Sequence, residues 1–280
     1  MRAVINPPMN SDRATNIDAD ADASGGRVPP SEAVPVGGAL FAPRCEASPQ
    51  PTSAAWILGL LQAGDSFYPT GSYAHSFGLE ALVQENVVRD RTTLREFIFR
   101  SALPALRHME LPLVAHAWSA FEIPDWHRLG EICTLSSALK TAKEARFAAE
   151  NIGRQRAELM ATLRAHPLAQ EFLQRATAEA WPHSPSVSAA LEGRVLGAPL
   201  AAVLSGITYA TFASLLSAAM KVLRLGQNAS QSLLTEALGA VPAIIAGAEN
   251  VPFEEIGWFN PWLDIAAARH ESANSRMFIS

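Results

Sequence analysis

The chain has 280 residues, of which 49% are hydrophobic and 18% are charged, and its formal net charge is −5. This hydrophobic share is that of a globular protein and too high for a disordered one. The mildly acidic balance, with no block of lysine and arginine, argues against nucleic acid as a partner, because phosphate binding needs clustered cations.

Residues 1–52 are predicted to form a flexible tail. They hold eight of the 19 prolines but only one aromatic residue, so they cannot bury enough apolar surface to offset the entropy of ordering. From residue 53 onward the apolar residues recur at helical spacing, and strand and hairpin patterns are nearly absent. We therefore expect an all-α fold of about ten helices in one compact domain over residues 53–280.

Several helix boundaries follow from local signals. A capping box is predicted at Thr93, and the pattern after it contains Pro104 and Pro112, which predict a kinked or broken helix. Asp125 is expected to cap the next helix. The remaining expectations are, in chain order, an amphipathic helix capped by Thr141 that runs to about residue 163, a Pro/Ser-rich loop over 181–188, an apolar helix over 199–223, and shorter helices near 229–239, 241–249 and 261–273.

Residues 199–220 contain no charge and approach the roughly 20 residues that cross a bilayer. Serine and threonine recur along this segment, and no second segment is similar. We interpret it as a buried helix of a soluble protein and expect no membrane partner. Because no apolar stretch of signal-peptide length begins the chain, a cytoplasmic location is expected.

The common catalytic motifs are missing. The chain has no phosphate-binding Gly-rich loop, no Gly-x-Ser-x-Gly elbow, no Cys-x-x-Cys pair and no His-Glu-x-x-His helix. The two cysteines, Cys45 and Cys133, cannot form a disulfide framework. These absences favour a binding or scaffolding protein over an enzyme.

One unusual segment spans residues 65–80 and reads DSFYPTGSYAHSFGLE. A structured turn whose aromatic side chains fill the core would explain Phe67 and Phe77. It explains less well why Tyr73, His75 and Glu80 cluster here, since buried polar groups need partners.

The other unusual segment is the end of the chain, where Met277, Phe278 and Ile279 fall within the last four positions. Leaving them exposed together would forgo roughly 1.5–3 kcal/mol of burial each. Either the body of the protein covers them, as an intramolecular latch, or another polypeptide does.

These two segments resemble the urease accessory protein UreF family. The resemblance lies in residues 71–80, GSYAHSFGLE, and in residues 264–278, DIAAARHESANSRMF. A third stretch between them, KVLRLGQ over 221–227 followed by Gln231, resembles the family in order and spacing. The resemblance covers about residues 54–280 and does not include the N-terminal tail over 1–52.

The resemblance implies an all-α, usually dimeric, non-catalytic protein without a cofactor of its own. Members of this family join a second accessory protein, UreD (also called UreH), and a nickel-carrying GTPase, UreG. Together these proteins deliver nickel to apo-urease, with the UreF-like member bridging its partners and regulating the GTPase. The missing phosphate-binding loop agrees with that division of labour, because the nucleotide chemistry belongs to the partner.

The resemblance also implies a set of partner-binding residues. Tyr73 corresponds to the loop that faces the GTPase, Lys221 to a basic residue of that contact, and Arg276 to the tail arginine that orders this surface. The roles of the other motif residues stay open. The full expected set is Tyr73, His75, Glu80, Lys221, Gln227, His270, Arg276 and Phe278.

Four positions depart from the family pattern. Arg224 stands where proline is common, Ser230 where glycine is often found, Thr70 where an aliphatic residue is usual, and Ala268 in place of a frequent methionine. The departure at Arg224 affects the expected local shape there and leaves the resemblance intact.

Two alternatives to a maturation chaperone remain. A helical enzyme would use a pocket at the Tyr73 loop, with His75 and Glu80 as acid and base. A direct nickel carrier would use His75 or His270, although nothing in the sequence supplies several convergent ligands.

Overall fold

Helices make up all the regular secondary structure in the residues that this computed structural model describes, which are 55–71, 77–270 and 277–278. The prediction of an all-α fold is therefore confirmed. The predicted tail over 1–52 lies outside the described residues, so the domain boundary at residue 53 stays a prediction. The α-helices are α1 (Ala55–Gly64), α2 (Leu79–Gln84), α3 (Arg91–Phe97), α4 (Leu103–Ala105), α5 (Leu111–Ala120), α6 (Trp126–Ala138), α7 (Lys143–Arg164), α8 (Pro167–Ala178), α9 (Pro185–Leu196), α10 (Leu200–Val222), α11 (Gln227–Gly239), α12 (Val241–Ala248) and α13 (Pro261–His270).

Helix α9 is the centre of the core, with α5 and α7 packed against it. All eight residues from 186 to 193 are buried, and most of them are small. Small side chains let neighbouring helices approach closely: a Cβ added at Gly153 of α7 would lie 2.6 Å from the backbone of Ser184. The Ser188 hydroxyl donates to the Gly153 carbonyl at 2.7 Å, which satisfies a buried polar group at this crossing.

The predicted loop over 181–188 is wrong from residue 185 onward, because α9 begins inside it. Ser184 is the N-cap and accepts a hydrogen bond from the Val187 N–H, and Pro185 occupies the first helical position, where proline is tolerated. Helix α8, which precedes this segment, was not predicted either.

The helix with two internal prolines is continuous through α3, α4 and α5, so the predicted break is wrong, and the alternative of a kink stays a prediction. It runs from Arg91 to Ala120, and a π-helical turn precedes each proline, at Ile98–Ala102 before Pro104 and at Leu106–Glu110 before Pro112. Proline lacks an N–H and crowds the carbonyl four residues back. The wider π turns accommodate both effects while the backbone stays helical.

The carbonyl left free by Pro112 belongs to His108, and it accepts a hydrogen bond from the Gly257 N–H at 2.9 Å. The His108 ring also stacks on Trp258, with 5.8 Å between centroids. Near the first π turn, the Asn260 side chain donates to the Ser101 hydroxyl at 3.0 Å. The long helix thus holds the segment that leads into α13.

The predicted helix caps have mixed outcomes. Asp125 caps α6 as predicted, accepting from the Arg128 N–H at 3.0 Å. The N-cap of α3 is Asp90 and not Thr93. Thr93 is the third residue of the helix and completes the capping box with Asp90. The predicted cap at Thr141 is wrong, because α7 begins after Ala142 without a side-chain cap.

Helix α10 confirms the predicted apolar helix and contacts α1, α2, α5, α9, α11 and α12. Among the described residues, Leu200–Val222 is the one helix that alone has the length and composition of a membrane span, with 33% of its apolar window buried. The bent pair α11 and α12 meets the same test only when taken together. Core helices of soluble proteins also pass this test, and α10 packs against six other helices.

Candidate functional site

The predicted motif over 71–80 enters α2 through a tight turn at Phe77 and Gly78, whose φ angles are 53° and 75°. Gly78 is the N-cap of α2. A Cβ added at Gly78 would lie 2.6 Å from the Leu263 side chain of α13. Glycine is therefore suited to this position for two reasons: its backbone angle and the close approach of α13.

Glu80 lies in the first turn of α2 and is 5% exposed. Its Oε1 accepts a hydrogen bond from the Met277 N–H at 2.8 Å, and its Oε2 accepts one from the Phe278 N–H at 2.9 Å. Hydrogen bonds to a carboxylate are short and strong, and they offset the cost of burying the charge. Glu80 therefore binds the main chain of the C-terminal tail.

The Phe278 side chain is 7% exposed, and its ring lies beneath the ammonium of Lys221, with 5.2 Å between Nζ and the ring centroid. This distance is within the range of a cation–π interaction. Lys221 lies in the last turn of α10. The structure thus brings together three of the predicted residues, Glu80, Lys221 and Phe278, from distant parts of the chain.

The sequence left open whether the body of the protein or another polypeptide covers the apolar tail. For Phe278 the structure has the intramolecular arrangement, because Glu80 and Lys221 belong to the same chain. The Met277 side chain remains 62% exposed. The Phe278 side chain is therefore buried against the body of the protein, while the side chain of its neighbour Met277 is exposed.

Side-chain contacts at two places along α13 hold this helix against neighbouring elements. The Thr141 hydroxyl donates to the Asp264 carboxylate at 2.8 Å, so the threonine predicted as a helix cap instead joins the start of α7 to α13. Further along, Arg269 pairs with Glu85 just after α2 at 3.2 Å. The first contact ties α13 to the start of α7, and the second ties it to the end of α2, the helix that carries Glu80.

A second set of polar side chains holds the residues that lead into the 71–80 motif. The Tyr68 hydroxyl donates to Glu192 Oε1 at 2.8 Å, and the Arg156 Nε donates to Glu192 Oε2 at 2.6 Å. Glu192 is 2% exposed, and its two partners compensate for the loss of water around the buried carboxylate. Burial and the Glu192 carboxylate raise the pKa of Tyr68 well above its usual range.

Sequence reasoning missed this second set, although one signal was present. Glu192 is the single charged residue in the otherwise apolar and small run 185–193. A lone carboxylate in such a run predicts a buried acid with a cationic partner. The partner itself, Arg156, could not be chosen from the many arginines of the chain.

The other predicted residues are not placed in this cluster. Tyr73, His75 and Arg276 lie outside the described residues, as does the side chain of His270. Gln227 is exposed at the first position of α11. The partner-binding role stays a prediction for these five residues and equally for the three that the structure brings together.

The arrangement at Glu80 is an intramolecular contact between a carboxylate and the main chain. Both Glu80 oxygens accept main-chain N–H groups, which suits a carboxylate that holds a polypeptide more than one that transfers protons. Within the described part of the chain, no group of three or more His, Cys, Asp or Glu side chains could hold a metal ion.

Replacing Gly78 with alanine is expected to destabilise the protein and displace α13. A matched control is Gly197→Ala, because Gly197 has a similar φ of 69° but nothing within 4 Å of an added Cβ. The control should cost about 1–2 kcal/mol from backbone strain alone. Gly78→Ala should cost about 1 kcal/mol more, from the contact with Leu263, as measured by denaturant unfolding. Equal losses in the two variants would show that Leu263 moves aside freely.

Comparison with known proteins finds similarity to one family over most of the chain. The family model described as UreF matches residues 88–238. The chain is 31% identical over 231 residues to "Urease accessory protein UreF" of Paenarthrobacter aurescens. The aligned region covers 81% of this chain and 100% of that protein. It is 30% identical to the protein of the same name from Methylibium petroleiphilum, over 85% of this chain and 100% of that protein. A third relative of that name, from Bacillus sp., is 29% identical over 80% of this chain and 99% of its own length.

Proposed function

Because this chain belongs to the UreF family, whose members are named urease accessory proteins, we propose that it acts in urease maturation as a bridging protein. It joins a UreD/UreH-type accessory protein to the nickel-carrying GTPase UreG and regulates GTP-dependent insertion of nickel into apo-urease. Nickel is the cargo of the complex in this proposal, and the chain itself has no cofactor and catalyses no reaction. The proposed location is the cytoplasm.

The observation that carries the proposal is the cluster of Glu80, Lys221 and the tail residues Met277 and Phe278. In this cluster the Lys221 ammonium lies over the Phe278 ring, and the side chain of the neighbouring residue Met277 is exposed. Such a surface suits contact with another protein, because apolar and charged groups that are held in place lose little entropy on binding. The same cluster argues against Glu80 as a catalytic acid or base, because both of its oxygens accept main-chain N–H groups.

The test is recruitment of the GTPase. Deleting residues 274–280, or changing Arg276 to alanine, should weaken co-purification of the GTPase with this chain while the helical circular dichroism signal is retained. Lys143→Ala is a suitable control, because Lys143 is a lysine at the start of α7 whose ammonium lies over the Phe147 ring of the same helix. Undiminished recruitment by the truncated chain would contradict the proposal.

Formation of a homodimer is also part of the proposal. Leu58 and Leu61 are exposed on α1, and Tyr209 is exposed on the neighbouring helix α10. The segments 55–64 and 199–220 carry no charge, so two copies of this face would meet without like-charge repulsion. Burial of these side chains against a second copy would supply part of the hydrophobic association energy.

A further inference from the structure

We infer that a groove beside α6 is a binding site for a partner polypeptide, which places an arginine or lysine side chain over Trp181. The groove lies between α6, the end of α8 and the 3₁₀ turn Phe253–Glu255. It shares no residue with the cluster of Glu80, Lys221 and the tail. A partner bound here does not need that cluster, so this site is independent of the proposed function.

One face of α6 packs into the core and another lines the groove. The core face includes Leu129 and Ile132, which are fully buried. The residues of α6 on the groove side recur at helical spacing and are His127, Gly130, Glu131, Thr134, Leu135 and Ala138. The groove has a volume of about 540 Å³, which is within the range of ligand-binding clefts.

The floor of the groove is apolar and aromatic. Trp181 and Phe253 are both half-buried, and Leu135 adds an aliphatic side chain. A Cβ added at Gly130 would lie 2.8 Å from the indole ring, so glycine lets Trp181 lie directly against α6. Such a floor suits the methylene stem of an arginine or lysine, which packs along apolar surface while its charge stays at the rim.

The rim of the groove is acidic. Glu131 and Glu179 line it, and the exposed residues Glu254 and Glu255 follow Phe253 directly. Glu131 and Glu179 each pair with one arginine of the chain. Four carboxylates beside two arginines leave a surplus of negative charge, which attracts a cation and repels an anion.

Two arginines at the edge of the groove show how this surface binds a cation. The Arg128 guanidinium lies 4.4 Å from the Phe253 ring centroid and donates to Glu131 at 2.9 Å. The Arg175 guanidinium lies 4.8 Å from the Trp126 ring centroid and also pairs with carboxylates of the α8 region. Each guanidinium is thus held by an aromatic ring and a carboxylate together.

Trp181 offers the same two features for a cation that comes from outside the chain. Its ring lies in the floor of the groove, and Glu179 lies at the rim two residues earlier in the sequence. In the part of the chain that the structure describes, no arginine or lysine lies over this ring. An arginine of a partner suits the site best, since its planar guanidinium can stack on an indole and bind a carboxylate at once.

The first experiment adds a probe peptide to the full chain and follows the indole N–H signals by NMR after isotope labelling of tryptophan. The probe is the acetylated amide of Ala-Leu-Arg-Leu-Ala, and a matched peptide carries citrulline, which has the shape of arginine without its charge. The variant Trp181→Phe identifies the Trp181 signal. The arginine peptide should shift that signal saturably and bind about fivefold or more tightly than the citrulline peptide. Trp262 is the internal control, because it is 78% exposed on α13 and lies outside the groove, so it should show no saturable shift.

The second experiment compares two carboxylates that are alike except for their position. Glu171 and Glu179 both pair with Arg175, at 3.1 Å and 3.8 Å, and both side chains are about half exposed. Of the two, Glu179 alone lines the groove. Glu179→Gln should therefore weaken binding of the arginine peptide about two- to fivefold, whereas Glu171→Gln should leave it unchanged.

Four outcomes would overturn the proposed site. The absence of a saturable shift at Trp181, or an equal shift at Trp262, would show that the groove does not select the peptide. Equal affinities for the arginine and citrulline peptides would exclude recognition of the cation. Equal losses in Glu171→Gln and Glu179→Gln would place the binding outside the groove. A Trp181 signal that changes with the concentration of the chain alone would show that a second copy, and not a separate partner, occupies the groove.

Discussion

Replacing Glu80 with alanine is expected to release Met277 and Phe278 from the body of the protein. The substitution removes the acceptors of two main-chain hydrogen bonds, and hydrogen bonds to a charged group contribute about 1.5–3 kcal/mol each. Hydrogen exchange at the two tail amides should therefore become about 100-fold faster, since a loss of roughly 3 kcal/mol changes an opening equilibrium by that factor. Recruitment of the GTPase should fall in the same variant.

Two further variants separate the role of the carboxylate from general damage to α2. Glu80→Gln keeps one acceptor oxygen and places an amide donor opposite the other N–H, so its effect should lie between those of the wild type and alanine. Glu85→Ala breaks only the exposed ion pair with Arg269 and should change tail exchange little. Equal tail exchange in Glu80→Ala and the wild type would show that the apolar contacts of Phe278 alone hold the tail.

The largest loss of stability is expected from Glu192→Ala. This change leaves the Arg156 guanidinium without its buried partner and the Tyr68 hydroxyl without its acceptor. Removing one member of a buried ion pair costs about 3–5 kcal/mol, because the remaining charge stays desolvated. For a domain of this size the midpoint of thermal unfolding should fall by about 10 °C.

The matched control for this prediction is Glu158→Ala. Glu158 pairs with Arg154 at 2.9 Å on the same helix as Arg156, but both side chains are about half exposed. An exposed pair one turn apart contributes less than about 0.5 kcal/mol. Similar unfolding midpoints for the two variants would show that the Glu192 pair contributes no more than a surface contact.

The sequence predicted well the features that depend on neighbouring residues. The all-α class, the apolar helix α10 and the Asp125 cap of α6 follow from spacing and side-chain type within a few positions. The cap predicted at Thr141 failed for a reason that the sequence does not contain. Its hydroxyl has a partner, Asp264, far along the chain, and that contact replaces the local one.

The candidate site shows the same limit. The motif indicated that Glu80 has a hydrogen-bonding partner, since a carboxylate in an apolar and aromatic segment needs one. The partners are the backbone N–H groups of Met277 and Phe278, which lie 197 and 198 residues further along the chain. Every residue except proline carries such a group, so nothing in the side chains of the tail marks these two as the donors.

The hydrogen bond between the His108 carbonyl and the Gly257 N–H gives Pro112 a role in joining distant parts of the chain. Local rules treat Pro112 as a defect, yet its missing donor leaves an acceptor open in the middle of the chain, and a later segment occupies it. Pro112 thus creates a tertiary attachment point: the long helix and the segment before α13 are joined through an acceptor that an ordinary residue at position 112 would have occupied.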